Sequence, residues 1–217
     1  MNFVHIPYIL KDRSFLFSFA TGLFLFAASI VAVFYSTGYA NISASTSNSV
    51  TDIILSNTRV YDVDGLFVYG ALAVIVFSVL IFLTLKVRHI PFALKSVSLF
   101  LFIRSIFVSL THISPYPSHA IISQSFLSSY HLFQILFTGD DLFFSGHVGL
   151  SFLAALLFWD SPLLRYIYLA ISVMFAVVVL LGHLHYSIDV FAAYFITYTI
   201  YVMAMHLFKK DYERTIG

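Results

Sequence analysis

Gly139-Asp140-Asp141-Leu142-Phe143-Phe144-Ser145-Gly146-His147 leads into one apolar run, and Gly182-His183-Leu184-His185-Tyr186-Ser187-Ile188-Asp189 joins the next two. The stretch from Gly139 to Tyr198 therefore reads as a hairpin of hydrophobic segments with the two short motifs facing each other. Each motif places histidine and carboxylate where a segment begins or ends. Ionisable groups inside or beside a lipid-facing segment are costly and point to function.

Working outward, composition sets the solvent. The chain of 217 residues is 60% hydrophobic and 10% charged, with a mean hydropathy of +0.95. Soluble domains carry about 25% charged residues, so this chain is expected in a bilayer. The formal charge of +1 is neutral on nucleic acid. No basic patch with interleaved aromatics points to such a partner, and none is expected. Cysteine is absent, which excludes disulfides, thiolate metal sites and thiol nucleophiles. Lys11 and Arg13 precede an apolar run of about 20 residues, the length of a membrane span rather than of a cleavable signal.

Six runs are long enough to cross: about Phe15–Tyr35, Gly65–Leu85, Phe92–Ile113, Phe143–Trp159, Leu163–Leu181 and Ser187–Phe208. In lipid each must be helical, because every backbone group has to be satisfied within its own segment. The fold class is thus all-α, a polytopic membrane protein of six transmembrane helices forming one domain over residues 1–217. Lys11, Arg13, Lys86, Arg88, Lys95, Arg165, Lys209, Lys210 and Arg214 all fall on one side of that layout, and Arg59 falls on the other. The positive-inside rule then puts both termini in the cytoplasm. The segment Ser36–Asp64, rich in Ser, Thr and Asn, reads as an exposed loop on the outer side. Ser114–Leu142, with Pro115, Pro117, His119 and His131, reads as an interfacial lid on the same side.

The layout brings distant residues to similar depth. His147 starts the fourth span from the outside, His185 sits in the turn between the fifth and sixth, and Asp189 lies one turn into the sixth. His185 and Asp189 are spaced i, i+4, on one helix face. The carboxylate can fix one imidazole nitrogen and leave the other free to attack. His147 can act as general acid toward a leaving alkoxide. Ser145 and Gly146 allow close backbone approach to an anion, and the start of the fourth span offers unpaired N–H groups. Arg104, in the outer half of the third span, supplies a planar donor fork for phosphoryl oxygens, or else bridges helices. Asp141 reads as a helper beside the substrate or as a solvated interfacial carboxylate.

Ser145-Gly146-His147, followed 38 residues later by His185-x-x-x-Asp189, resembles the type-2 phosphatidic acid phosphatase superfamily. Asp141-Leu-Phe-Phe-Ser-Gly-His147, His185-Tyr-Ser-Ile-Asp189-Val-Phe-Ala-Ala-Tyr194 and Ile103-Arg104-Ser-Ile-Phe-Val-Ser-Leu-Thr111 resemble its sphingomyelin synthase branch more closely. The resemblance runs from the third span through the sixth. It implies a two-step transfer through a phosphohistidine, with His185 as nucleophile, Asp189 as orienting acid and His147 as proton donor. It further implies a glycerophospholipid donor, ceramide or another lipid alcohol as acceptor, and no metal or other cofactor. Arg104, Asp141, Ser145, Gly146 and His183 complete the expected substrate-binding set. The site is expected on the exoplasmic, periplasmic or lumenal side, with a bacterial inner membrane favoured by the small size; a homo-oligomer is compatible with all of this.

Departures from the superfamily pattern refine the expectation. Its phosphatases carry Lys-x6-Arg-Pro and a Ser-Arg pair; here Lys95 and Arg104 are nine apart without a Pro, and Val178-Val179 stand at the Ser-Arg positions. One clear arginine suits a phosphodiester, with its single charge, better than a phosphomonoester. Three other readings compete with headgroup transfer. The same site could use water, as a lipid phosphatase or phospholipase-C-like hydrolase. His183-x-His185 with His147 and Asp189 could hold a metal, as in a lipid amidase. A non-catalytic lipid carrier could retain the scaffold, although it would not need acid, nucleophile and orienter together.

Overall fold

The computed structural model describes residues 12–44, 46–120, 122 and 142–216. Asp141, together with Gly139, Asp140 and His131, lies outside the described residues. The described chain forms α1 (Arg13–Ala44), α2 (Asp64–Thr84), α3 (Ile90–Leu110), α4 (Gly146–Leu157), α5 (Pro162–Leu181), α6 (Ser187–Leu207) and α7 (Lys209–Ile216), with no strand among them. Five helices are long and apolar enough to cross a membrane: α1, α2, α3 with its preceding turn from Val87, α5 and α6. This composition and length fit an integral membrane protein.

Two of the expected spans differ from the sequence reading. The first continues to Ala44, through residues expected in a loop. Its hydroxyls turn back on their own helix, Thr21 to Ser18 O, Ser29 to Phe26 O and Ser36 to Val33 O, so polar residues do not break it. The fourth is helical over 12 residues only. At 1.5 Å per residue it spans about 18 Å against a hydrocarbon core of about 30 Å. Its expected first turn, Phe143–Ser145, is non-helical because Phe143 has a φ of 131°, which an L side chain rarely adopts. The expected six long spans are therefore five long helices and one short one.

Apolar faces assemble the bundle. α1 runs along α3, α4 is flanked by α5 and α6, and α3 also touches α4 and α6. Phe100, Phe144, Val148, Leu153, Val179 and Ala193 are wholly buried at the centre. Gly149 sets the closeness of three helices: a Cβ there would stand 2.7 Å from the Phe100 ring on α3 and 2.9 Å from Thr197 Oγ1 on α6. A second cluster of Ala155, Phe158, Leu164 and Tyr168 seals the joint between α4 and α5.

The two ends of the bundle are different. At one, Lys95 Nζ donates to Asp211 Oδ2 at 2.6 Å and to Ser18 Oγ at 2.7 Å, and all three residues are buried. Arg214 also holds Asp211, at 2.9 Å, and reaches Ser14, while Lys86 pairs with Asp160. The start of α1 and the end of α7 therefore meet at this basic end. At the other end the loops over 46–63 and 111–120 interlock on the turn between α5 and α6. Ser114 Oγ donates toward Ala44 O and Ser47 O. Tyr61 N–H bonds Leu181 O, and Ala120 N–H bonds Gly182 O. The segment after Ala44 is largely exposed loop, as expected, but Asp52, Leu55 and Val63 are buried and tie it down as a cap on this end.

Candidate active site

The cap covers a site built from the first turns of α4 and α6 and the middle of α3. His185 is 2% exposed and Asp189 4%, burial that an isolated charge does not tolerate. Asp189 Oδ2 accepts the Tyr186 N–H at 3.1 Å and faces His185 Nδ1 at 3.4 Å. The second separation is longer than an ordinary N–H···O bond. Catalytic hydrogen bonds are commonly long in unliganded sites and tighten around substrate. This arrangement dedicates Nδ1 to the carboxylate and turns Nε2 away from it, as the i, i+4 spacing implies.

One backbone bond joins the two motifs. Ser145 N–H donates to Asp189 O at 3.1 Å, so the start of α4 is fixed to the first turn of α6. Ser145 is wholly buried and occupies the N-cap of α4, yet its hydroxyl neither caps the helix nor finds another partner among the described residues. A buried hydroxyl without a partner costs about 1–3 kcal/mol, which a bound phosphoryl oxygen would relieve.

Arg104 comes up from α3, 6% exposed, and lies flat against Gly146. A Cβ at Gly146 would stand 3.3 Å from Arg104 Nε and 3.5 Å from Cζ, so glycine makes room for the guanidinium plane. Arg104 Nε also donates to Phe144 O at 3.3 Å. His147 lies in an aromatic slot, its ring tilted against both walls, with its centroid 4.0 Å from Phe67 of α2 and 5.3 Å from Phe175 of α5. Because Phe175 lies six residues before the end of α5, the start of α4 is recessed about 9 Å below that end.

Several expected residues find other placements. His183 has both ring nitrogens engaged, Nδ1 with Ser118 O at 2.8 Å and Nε2 with Thr58 Oγ1 at 3.1 Å. It binds the cap loops together across the turn, and among the described residues no three His, Asp or Glu side chains gather as metal ligands. Lys95 belongs to the basic end, about 13 Å along α3 from Arg104, and shares nothing with the site. Asp141 is outside the described residues. Phe143 and His183 are the two non-glycine residues of positive φ among those described, at 131° and 52°. Each lies within one of the two motifs, and strain of this kind concentrates at functional sites.

Two residues escaped the sequence reading. Asp52 is 7% exposed, with Oδ1 accepting from Ile54 N–H and Leu55 N–H and Oδ2 from Ser187 N–H and Oγ–H. Burial alone would raise its pKa, but these hydrogen bonds together hold it below the ordinary carboxylate value. Tyr186 is 2% exposed and sits under the cap. Its hydroxyl accepts Val50 N–H and donates to Ser114 O, and burial first of all pushes its pKa up. The aspartate of an Asp-x-Ile-Leu turn was a local signal for Asp52; its reach to Ser187 had none.

Residues 139–207, which carry both histidine motifs, match the family model described as PAP2 superfamily C-terminal. The match supports the type-2 phosphatidic acid phosphatase superfamily, whose members are phosphatases or phosphotransferases, and hence an enzyme. Neither the curated proteins nor the solved structures contain a significant match to the chain.

Proposed function

We propose that this chain transfers a phosphoalcohol headgroup from a glycerophospholipid to a lipid alcohol such as ceramide, through a phosphohistidine on His185. One observation carries the reading. Asp189 at once orients His185 through its carboxylate and anchors Ser145 through its carbonyl, making nucleophile, orienting acid and phosphate cradle a single connected unit.

In the first step His185 Nε2 attacks the phosphorus, a P–N bond forms, and the bond to the diacylglycerol oxygen breaks. His147 gives that oxygen its proton. Arg104, the Ser145 hydroxyl and the first N–H groups of α4 hold the phosphoryl oxygens. Asp189 stabilises the positive charge that develops on the imidazole. In the second step His147 takes the proton of the acceptor hydroxyl, the acceptor oxygen attacks phosphorus, and the P–N bond breaks to restore His185. Arg104 is the buried arginine beside the two motifs among the described residues, Lys95 lying at the other end of α3 and Arg59 being exposed. One arginine suits a phosphodiester, with its single negative charge, better than a phosphomonoester, which favours headgroup transfer over monoester hydrolysis.

The chain makes six passes in this reading. Ser14 and Arg214 meet at one end, so the passes between them are even in number, and α4 with its flanking residues supplies the short one. The basic end faces the cytoplasm and the capped site the opposite side. The test incubates purified protein with phosphatidylcholine or phosphatidylethanolamine, with and without ceramide, beside His185→Ala. A ceramide-dependent phospholipid that disappears in the variant supports transfer. Phosphoalcohol or phosphate released without acceptor makes the protein a hydrolase, and turnover surviving in His185→Ala removes the phosphohistidine.

A further inference from the structure

The structure assigns Asp52 a positioning role for His185, exercised from the cap loop rather than from the catalytic helices; the assignment rests on the reading of His185 as nucleophile. Asp52 lies 135 positions before Ser187, yet its Oδ2 accepts both the Ser187 N–H at 2.7 Å and the Ser187 hydroxyl at 2.8 Å. Ser187 is the first residue of α6, midway between His185 and Asp189. Its N–H is one of the donors a helix start leaves unpaired, and a carboxylate there also meets the positive end of the helix dipole. The other carboxylate oxygen is held by Ile54 N–H at 2.8 Å and Leu55 N–H at 3.0 Å. Asp52 is therefore fixed on both sides, with no acceptor capacity spent on solvent.

The neighbouring contacts point the same way. Val50 N–H bonds the Tyr186 hydroxyl at 3.2 Å, and Thr58 meets His183 at 3.1 Å. Residues 50–58 thus hold the turn two residues before His185, one residue after it and two residues after it. Among the described residues His185 Nδ1 faces Asp189 at 3.4 Å, and how well that carboxylate can orient the ring depends on where the backbone of the turn presents it. The orientation of the imidazole is set by its backbone, and the backbone is set by this clamp. Asp52 carries most of it, because hydrogen bonds to a charged group are roughly twice as strong as neutral ones.

The experiment compares full-length wild type, Asp52→Ala, Asp52→Asn and the same-loop control Asn57→Ala, whose side chain reaches only Ile53 O. The first readout needs no substrate. Diethyl pyrocarbonate acylates accessible imidazole, and mass spectrometry gives its rate at buried His185 relative to exposed His206 in the same molecule. Asp52→Ala should raise that ratio about tenfold, as expected when a charged hydrogen-bond acceptor is lost, and Asn57→Ala should leave it alone. The second readout is headgroup transfer from phosphatidylethanolamine to ceramide. Asp52→Ala should lower kcat about tenfold or more with KM within about twofold, because the substrate contacts remain.

An unchanged His185 ratio in Asp52→Ala overturns the assignment, whatever the activity. If that variant does not fold, Asp52→Asn decides by the same ratio, since the amide keeps the shape and loses acceptors on one side. A kcat that falls only together with the melting temperature in equal measure for Asn57→Ala overturns it as well. Should His185→Ala remain active, the nucleophile reading fails separately, and the acylation ratio still judges the clamp.

Discussion

Replacing Asp189 by Asn removes one negative charge and keeps the shape of the side chain. In wild type the carboxylate stands 3.4 Å from His185 Nδ1, with side chains 6% and 2% exposed. Once Nε2 has attacked phosphorus, Nδ1–H carries positive charge, and at this distance an effective dielectric of about 20 gives about 5 kcal/mol of attraction. The amide oxygen of Asn still accepts one hydrogen bond, from Tyr186 N–H or from the imidazole, and recovers about 1–2 kcal/mol. The loss in the transition state is therefore about 3–4 kcal/mol, on the order of 10²–10³ in kcat at about 1.4 kcal/mol per decade. KM should stay within about threefold, because Asp189 touches the histidine and not the phosphate. Transfer from phosphatidylethanolamine to ceramide, followed over a range of donor concentrations in mixed micelles, measures both constants. Acid-stable controls and alkaline phosphoramidate trapping show whether the first step has slowed. A kcat within threefold of wild type would refute the assignment of Asp189 as the orienting acid and leave it a helix cap for Tyr186.

Three further outcomes follow from other parts of the molecule. Gly149→Ala places a Cβ 2.7 Å from the rigid, wholly buried Phe100 ring, so overpacking should cost about 1–3 kcal/mol, visible as a lowered melting temperature in detergent. Lys95→Met leaves Asp211 buried with one cation fewer, which should cost about 3–5 kcal/mol in the same assay. The double change Lys95→Met with Asp211→Leu should recover much of it, and because this pair is remote from His185, the activity per folded molecule should not change. Asp52 has a folded pKa below its unfolded value of 3.8, so its stabilisation is present above that value and is lost as pH falls through the folded pKa. The melting-temperature gap between wild type and Asp52→Asn should then be constant near neutrality and close below about pH 4; a gap that widens on acidification would contradict the sign.

The arrangement of the candidate site was partly legible because several of its parts are local in sequence. His185 and Asp189 share one helical turn, and Ser145-Gly146-His147 is contiguous, so spacing alone supplied their relation. Arg104 could be placed at the right depth by counting along a helix, since a helix converts residue number into height. Lys95 shows the limit of such counting: it stood near the arginine in sequence, but nine helical residues carried it to the other end of the bundle and into a buried pair with Asp211. The short fourth helix was overestimated because Phe143 and Phe144 continue an apolar run, and hydrophobicity carries no record of a positive φ. Ser36–Ala44 differed the other way: its hydroxyls and small residues read as loop, but the segment is helical and Ser36 Oγ bonds back to Val33 O within it.

By itself, then, the sequence determined that this protein is a helical bundle fit for a bilayer, and that two histidines and an aspartate fall toward the same end of it. These properties depend on composition and on periodicity over a few turns, which short-range physics enforces. Only the tertiary structure decided how the centre is held. Asp52 reaches Ser187, Tyr186 reaches Val50 and Ser114, and Ser145 reaches Asp189, across separations of 135, 136, 72 and 44 positions. Such contacts arise where helix ends of unequal length leave donors and acceptors buried and unmatched, and the chain satisfies them with whatever loop the packing has brought there.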